Sequence, residues 1–453
     1  MRTTESAGRP GRAGLTLIYA MAAALVIGIV FVKAFTVRDF GISPFWALYS
    51  VVVTGYILSR FLLAALYRPR PPALAEDELP SVTIVVPAFN EQWVIARTLR
   101  ACLEVDYPAD RLQVIAVDDC STDGTLAVMG QVAAADPRLE IVAFDHNQGK
   151  RYGMAAGVRR ARGELLIFID SDSFVEADGI RRLVRYFADP RVGAVAGHTD
   201  VANSHTNLLT KMQAVRYFVA FRVYKSAEAL FRSVTCCSGC FSGYRLSAVE
   251  PVLERWLGQT FLGSVSSYGD DRSLTNFLLP DWAILYAPDA QAYTVVPDTL
   301  RTFLRQQLRW KKSWIRESLR AARFMWRKHP VMSLSFYLSI ALPLLAPQVV
   351  IRALVVQPLV LRTFPYWYLG GVLAMAFLYG LYYRSHRAED LWLYGVFFAL
   401  FYTGMLVWQL PWAIATLRDS RWGTRTSAPS REPRPVVDLP APRGAPELER
   451  TPA

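Results

Sequence analysis

Long apolar stretches flank a central region in which apolar and polar residues alternate over short distances. The apolar stretches lie at Leu15–Val32, about 45–67, 331–361, 366–383 and 391–417. Each is close to or above the roughly 20 residues that a helix needs to cross a bilayer. The pattern predicts two transmembrane helices within residues 14–67 and a set of transmembrane or interfacial segments within residues 331–417.

Basic residues at the ends of the apolar segments predict their orientation. Arginines precede the first segment, in the tail 1–13, and follow the second at Arg68 and Arg70. Because positively charged loops stay on the cytoplasmic side, both chain ends and the central region are predicted to be cytosolic. Three full crossings after residue 330 would place the C-terminus outside, whereas the arginines from Arg418 to Arg431 favour the inside. One C-terminal segment is therefore predicted not to cross fully, in a multi-pass protein of the plasma membrane.

The central region, residues 80–298, has the periodicity of an α/β domain. Short β-branched apolar runs, which are typical of buried parallel strands, alternate with helical stretches. The predicted strands are Val82–Val86, Leu112–Val117, Ile141–Phe144 and Leu165–Ile169, and the predicted helices include Val94–Leu103 and Gly124–Ala134. This alternation predicts a doubly wound sheet that binds its ligands at the carboxyl ends of the strands.

Polar residues follow several of the predicted strands. Glu91 comes after the first strand, Asp118 and Asp119 come after the second, and Asp170 and Asp172 come after the fourth. Two carboxylates on one turn suit Mg²⁺ or Mn²⁺, which prefer oxygen ligands and retain water and substrate phosphates. The last pair is therefore predicted to bind a metal, although an Asp-Ser-Asp pattern alone is more typical of a turn or a helix cap.

Two further polar groups suggest anion binding and proton transfer. Lys150 and Arg151 are placed to contact phosphates, unless they belong to a solvated turn. Asp271 is the predicted general base, because a hydroxyl is a poor nucleophile until a nearby carboxylate accepts its proton. On its own, this acidic turn is equally consistent with a surface network that includes Asp270 and Arg272.

The segment 299–328 is basic and amphipathic, with aromatic and aliphatic residues among its arginines and lysines. Such a segment suits the membrane interface. A simple surface anchor explains the arginines, but it does not explain Gln306 beside Arg309 and Trp310. Residues 426–453 are rich in Pro, Arg and Glu, which predicts a disordered tail.

The composition agrees with a membrane protein. Hydrophobic residues make up 53% of the 453 residues, the mean hydropathy is +0.20 and the net charge is +12. The basic residues are dispersed and no nucleic-acid motif occurs, so the charge favours anionic lipid and an anionic substrate over nucleic acid. The five cysteines lack a secreted spacing pattern and are predicted to be reduced thiols.

Several of these motifs together resemble the family 2 glycosyltransferases. Val82–Asp123 and Asp170–Asp172 resemble their GT-A domain, and Gln306–Trp310 matches the QxxRW pattern of the processive cellulose, chitin and hyaluronan synthases. A longer similarity, to hyaluronan synthases of the bacterial, streptococcal-like type, covers nearly the whole chain except its tails. It rests on Val215–Tyr217, Ala220–Val223, Cys237–Gly239, Tyr244–Arg245, Gln259–Gly263, Gly269–Asn276, Gln306–Glu317 and Trp422–Arg425. Cys240 departs from the usual proline, and Val295–Leu300 also resembles the rhizobial chitooligosaccharide synthases.

The resemblance implies a role for each matching position. The UDP moiety would be held by Glu91, Asp118, Asp119 and Lys150, and Mg²⁺ or Mn²⁺ by Asp170 and Asp172. Asp271 would be the base, and Gln306, Arg309 and Trp310 would line the acceptor and diphosphate site. Within residues 418–453, a segment that closes over the nucleotide would include Trp422, Thr424 and Arg425.

The sequence therefore predicts an α/β, GT-A type glycosyltransferase domain inserted between transmembrane helices. The predicted enzyme is a processive hyaluronan synthase that alternates UDP-glucuronate and UDP-N-acetylglucosamine and exports the growing polysaccharide through its own membrane region. The alternative is a chitin or chitooligosaccharide synthase that uses UDP-N-acetylglucosamine alone. A non-catalytic transporter with a nucleotide-sugar fold is the alternative from another class, and the predicted base Asp271 argues against it.

Overall fold

The computed structural model describes residues 11–39, 44–265, 268–387 and 390–418. The predicted gating residues Trp422, Thr424 and Arg425 and the predicted disordered tail lie outside these ranges.

A mixed β-sheet forms the centre of the domain between the apolar segments. The strands in the described ranges are β1 Val82–Ala88, β2 Leu112–Asp118, β3 Leu139–Ala143, β4 Leu165–Phe168, β5 Ser173–Val175, β6 Val192–Val201, β7 Ser242–Arg245, β8 Thr260–Phe261, β9 Ser264–Val265 and β10 Ala283–Thr294. Eight of them form one sheet in the order β3-β2-β1-β4-β7-β6-β10-β5, and β8 pairs with β9 separately. The pairs β3–β2, β2–β1 and β1–β4 are parallel, whereas β7 is antiparallel to both β4 and β6.

Helices cover both faces of this sheet and extend beyond it. The α-helices are α1 Arg12–Asp39, α2 Pro44–Leu66, α3 Ile95–Leu103, α4 Thr125–Ala135, α5 Lys150–Arg160, α6 Gly179–Val184, α7 Leu208–Val219, α8 Ser226–Ala229, α9 Leu246–Val249, α10 Leu253–Leu257, α11 Asp270–Leu278, α12 Leu300–Ala321, α13 Pro330–Ile351, α14 Gln357–Leu359, α15 Tyr366–His386, α16 Tyr394–Phe401 and α17 Gln409–Ala415. Wider π-helical turns follow α7, α13 and α16, at Ala220–Lys225, Arg352–Val356 and Tyr402–Leu406.

The parallel half of the sheet confirms the predicted strands. β1 and β2 are buried at every position, as expected for strands that have helices on both faces. The strands β5 to β10 are not among those that the sequence predicts. β7 is only Ser242–Arg245, and it is recognisable as a strand only because β4 and β6 pair with it on both sides. The predicted α/β class is correct, and the sheet is mixed rather than wholly parallel.

Several helices outside the sheet are apolar enough to enter a membrane. By length and composition, Ala13–Lys33, Phe45–Leu66 and Pro330–Leu359 are long enough to cross one. Asp390–Leu406 and Gln409–Ala415 pass the same test only as one span that is bent by 44°. Such helices before and after the α/β domain indicate that the protein associates with a membrane.

Polar contacts tie the α/β domain to the ends of the helices α2 and α15. Just after α2, the hydroxyl of Tyr67 donates a hydrogen bond to the backbone carbonyl of Tyr286 in β10 (2.6 Å). Just after α15, the guanidinium of Arg387 forms a buried ion pair with Asp200 in β6. The C-terminal ends of α2 and α15 therefore lie at the domain.

The last apolar segment contacts the α/β domain near its start and contacts α12, which packs on α11 of that domain, near its end. Near its start, the Lys211 ammonium of α7 lies 5.2 Å from the ring centroid of Tyr394. Near its end, the Gln409 amide donates to the backbone carbonyl of Leu304 in α12 (3.1 Å) and accepts a hydrogen bond from Lys311 (3.2 Å). α16 packs on α7 and α17 packs on α12. Both ends of this segment thus face the side on which the α/β domain lies.

Candidate active site

A cavity of about 1380 Å³ runs from the carboxyl ends of the central strands into the space between the apolar helices. The sequence-predicted residues that line it are Glu91, Lys150, Asp170, Asp172, Asp271, Gln306, Arg309 and Trp310. These residues come from five separate parts of the chain. The first four of them, Glu91 to Asp172, follow parallel strands, and the carboxyl ends of those strands share one edge of the sheet.

An ion pair occupies one wall of the cavity. The Lys150 ammonium, at the start of α5, bonds to the carboxylate of Asp170, which follows β4. Burial alone lowers the pKa of Lys150, but the carboxylates of Asp170 and Asp271 outweigh burial and raise the pKa above its usual value. Lys150 therefore remains a cation at neutral pH, which suits a neighbour of phosphate groups.

Gly239 packs directly against this ion pair. A methyl group at this position would lie 2.7 Å from Nζ of Lys150 and 3.0 Å from Oδ1 of Asp170. Such distances are shorter than van der Waals contact, so a larger residue would displace one of the two charged groups. The absence of a side chain at Gly239 lets the backbone approach the carboxylates closely.

Asp271 lines the same cavity and lies in the first turn of α11. Its Oδ2 accepts a hydrogen bond from the backbone N–H of Gly239 (3.3 Å) and lies 3.9 Å from Sγ of Cys236. A half-buried carboxylate that is open to the cavity has the exposure and the charge that a general base needs.

The other aspartates predicted to bind the donor are buried behind the cavity wall. Asp119 accepts hydrogen bonds from the backbone N–H groups of Gln148 (2.7 Å) and Gly149 (2.9 Å). Gly149 has φ +93°, a conformation that glycine adopts readily. Asp118 accepts from the backbone N–H of Ser121 (3.1 Å) through Oδ2. In the described part of the chain, both carboxylates thus shape the loops at the strand ends, and neither lines the cavity.

Arg151 is not at the cavity, contrary to the expectation that it contacts phosphates together with Lys150. Its Nε and Nη2 lie 2.8 and 2.7 Å from Oδ1 of Asp270, and both side chains are almost fully buried. Its guanidinium also lies 5.4 Å from the ring centroid of Trp256. This buried pair fixes α5 against the start of α11, and so it holds Lys150 and Asp271 in their relative positions.

The helix α12 brings the QxxRW residues to one side of the cavity. Gln306, Arg309 and Trp310 are three and four positions apart, which places them on the same face of a helix. Among the described residues, the buried Oε1 of Gln306 has no hydrogen-bond partner. A buried carbonyl oxygen without a partner is unfavourable, so this group is placed to accept a hydrogen bond from a ligand.

Sequence reasoning gave no role to several residues that line the same cavity. The Arg216 guanidinium lies 5.7 Å from the ring centroid of Trp310, and the ring of Tyr217 lies 6.2 Å from it. Cys240 also lines the cavity, and burial together with the nearby carboxylates of Asp170 and Asp172 raises the pKa of its thiol. Arg216 and Tyr217 belong to the run Val215–Tyr217 that carries part of the family resemblance. That run was the feature of the sequence that could have indicated their place at the site.

Comparisons with known proteins agree on the family. Residues 83–253 match the profile of Glycosyl transferase family 2. An N-acetylglucosaminyltransferase of Bradyrhizobium diazoefficiens is 35% identical over 81% of this chain and 76% of its own length. Another, from Rhizobium meliloti, is 32% identical over 84% of this chain and 91% of its own.

A solved structure supports the fold. The mannosyltransferase PcManGT from Pyrobaculum calidifontis superposes with a TM-score of 0.56 at 22% identity, over 85% of this chain and 99% of that one. Its likeness concerns the architecture, whereas the two sequence relatives extend the match to most of the chain. The chain therefore belongs to glycosyl transferase family 2 and has the GT-A fold.

Proposed function

We propose that this protein is a membrane-integral N-acetylglucosaminyltransferase that builds a chain of N-acetylglucosamine units from UDP-N-acetylglucosamine and exports it. The observation that carries the proposal is the continuity of the cavity. The same cavity is lined by Asp271 and Trp310 at the α/β domain and by Tyr49 and Ser50 among the membrane helices. A product extended at the carboxylates has a direct path toward the membrane.

The relatives favour the single-donor alternative over hyaluronan synthesis. Both relatives described above are named N-acetylglucosaminyltransferases, and neither name points to UDP-glucuronate. Gln306–Trp310 matches a pattern that chitin and hyaluronan synthases share, so this motif does not distinguish one donor from two.

The proposed chemistry assigns one proton transfer to Asp271. The acceptor hydroxyl loses its proton to the Asp271 carboxylate while its oxygen forms a bond to C1 of the donor sugar. The bond from C1 to the diphosphate oxygen breaks, and UDP leaves with that electron pair. Lys150 and Arg309, which line the cavity, are placed to stabilise the negative charge that develops on the diphosphate.

Asp170 and Asp172 are the residues proposed to hold a divalent metal. Both line the cavity beside Lys150, and carboxylate oxygens are suitable ligands for Mg²⁺ or Mn²⁺. No group of three or more acidic, His or Cys ligands occurs within the described ranges, so donor phosphates and water would complete the coordination. When bound, the metal would neutralise charge on the leaving diphosphate. The mannosyltransferase of similar fold was solved with GDP-Man and Mn²⁺.

The donor requirement tests the proposed function. Purified protein in lipid nanodiscs, supplied with Mn²⁺ and labelled UDP-N-acetylglucosamine alone, is expected to form a product that chitinase degrades. Adding UDP-glucuronate is expected to leave the yield and the composition of the product unchanged, because a second sugar is not incorporated. UDP-glucuronate alone, and a reaction without metal, are the matched controls. A product that forms only with both donors and is degraded by hyaluronidase would restore the hyaluronan assignment.

We further propose that the segment 390–418 is the one that does not cross the membrane, because its start contacts the α/β domain and its end contacts α12, which packs on that domain. The N-terminal end of α13 also lies at the domain, where the ring of His329 stacks on Phe231 at 4.7 Å. Because α13 leads away from the domain and α15 returns to it, the turn at Thr363 lies on the opposite side. This arrangement leaves both chain ends on the same side as the α/β domain.

Labelling of single cysteines tests this topology. In a variant without the native cysteines, Thr363→Cys is expected to react with a membrane-impermeant maleimide on intact cells, because the turn between α14 and α15 faces outside. Ser204→Cys, on the α/β domain, is the matched control and should react only after permeabilisation. Protection of Thr363→Cys in intact cells would show that α13 fails to cross and would refute the proposed topology.

A further inference from the structure

The part of the cavity farthest from the catalytic carboxylates contains an intramembrane ammonium group. Lys33 of α1 lines this part together with Trp46, Tyr49 and Ser50 of α2, and we name it the distal chamber. Ser50 lies about 25 Å from the domain-facing end of α2, at a helical rise of about 1.5 Å per residue. The distal chamber is therefore most of a bilayer core away from the domain, since that core is about 30 Å thick.

The Lys33 ammonium lies where three helices meet. Nζ donates a hydrogen bond to Oγ of Ser50 on α2 (2.9 Å). A methyl group at Gly371 of α15 would lie 3.5 Å from the same nitrogen. An ammonium group has three donors, and the described residues supply Ser50 Oγ as its hydrogen-bond acceptor. Charged side chains at membrane depth face an interior or aqueous path, which is consistent with the position of Lys33 on the cavity wall.

Aromatic rings complete the distal chamber. Trp46 and Tyr49 pack edge to face with their centroids 6.3 Å apart. The hydroxyl of Tyr49 donates to the backbone carbonyl of Leu342 on α13 (2.9 Å), which fixes the ring. A chamber that combines ring faces with a few fixed polar groups suits a ligand with both apolar faces and polar edges, as sugar rings have.

We propose that the distal chamber is a glycan-binding subsite. There the Lys33 ammonium donates hydrogen bonds to hydroxyl or acetamido oxygens of sugar units that have already been transferred. The inference rests on the proposed function and adds a second contact region to it, distant from the transfer site. A lipid phosphate is the other ligand with suitable oxygens, but Lys33 lines the cavity that begins at Asp271, and this favours the glycan.

The subsite has a consequence for product length. A chain that is held at two places dissociates more slowly than one that is held only at the transfer site. The addition of each sugar competes with dissociation of the product. Weaker binding of the glycan in the distal chamber therefore shortens the product without slowing the transfer step. Loss of one hydrogen bond of typical net strength corresponds to about a three- to tenfold faster release.

The experiment compares product length and initial rate in nanodiscs that contain zwitterionic lipid alone. Lys33→Met, which keeps the length of the side chain, is expected to give products about three- to tenfold shorter, with an initial rate of UDP release within about twofold of the unchanged protein. Ser50→Ala is expected to shorten the products less. Lys33→Arg, which keeps a cationic donor, is expected to restore length. Arg352→Met is the matched control, because Arg352 lies in an apolar segment but does not line the cavity.

Several results would overturn the inference. One is an unchanged length distribution in both Lys33→Met and Ser50→Ala. Another is equal shortening by Arg352→Met, which would indicate a general effect of intramembrane charge. A length effect of Lys33→Met that appears only when phosphatidylglycerol is added would assign the ammonium to lipid phosphate. Failure of the unchanged protein to form any product from UDP-N-acetylglucosamine would instead refute the proposed function, so the two failures are distinguishable.

Discussion

An Asp271→Asn variant is expected to transfer sugar about 10²–10⁴-fold more slowly than the unchanged protein, because a positioned general base contributes a factor of that size. The amide is nearly isosteric with the carboxylate, so the side chain keeps its contact with the backbone N–H of Gly239. The variant lacks the carboxylate that accepts the proton of the acceptor hydroxyl. UDP release is measured at saturating donor, and UDP affinity is measured by calorimetry. The affinity is expected to change by less than about twofold, since Asp271 acts on the acceptor.

Asp281→Asn is the control for that variant. Asp281 is exposed just beyond the end of the same helix, α11, and it does not line the cavity. Its substitution changes the net charge by the same amount and is expected to leave the rate unchanged. Turnover of Asp271→Asn at the rate of the unchanged protein would remove Asp271 from the role of base.

An Asp172→Asn variant is expected to show the opposite pattern, with UDP affinity in the presence of Mn²⁺ reduced about 10- to 100-fold. Asp172 is preferred over Asp170 for this test because Asp170 also bonds to Lys150. In the unchanged protein, EDTA is expected to weaken UDP binding. In the variant, EDTA is expected to have little further effect, because the metal already binds poorly.

Asp178→Asn is the matched control, since Asp178 pairs with Arg182 at the surface, away from the cavity. It is expected to keep the full difference between Mn²⁺ and EDTA. If Asp172→Asn retained metal-dependent UDP binding at normal affinity, Asp172 would not be a ligand of the metal.

Local pattern was sufficient to predict half of the sheet. Leu165–Ile169 is apolar at every position and Leu112–Val117 at every position except Gln113, because helices cover both of their faces. The strand Ser242–Arg245 contains glycine and polar residues, and it is a strand only because two neighbours pair with it. Its pairing depends on residues far away in sequence, and so local pattern does not reveal it.

The candidate site illustrates the same limit at the level of single side chains. Lys150 and Arg151 are adjacent, as are Asp270 and Asp271, and the sequence pattern assigned Lys150, Arg151 and Asp271 to the site. Successive residues of a helix point about 100° apart, so neighbouring side chains have different surroundings. Lys150, Asp270 and Asp271 line the cavity, whereas Arg151 does not line it and pairs with Asp270. Arg151 is withdrawn from the cavity because it pairs with Asp270, which is far away in sequence, and sequence spacing does not contain that information.

The fixed attachment of the domain has a mechanical consequence. Tyr67 and Arg387 join the domain to the ends of α2 and α15 through the carbonyl of Tyr286 and the carboxylate of Asp200. The domain and these helices therefore form one rigid unit. A movement of the domain relative to the helices by one sugar length per cycle would break the ion pair between Arg387 and Asp200. On the proposed function, the moving part is the glycan itself. Each transfer adds a unit behind the chain, and the chain advances through a stationary frame.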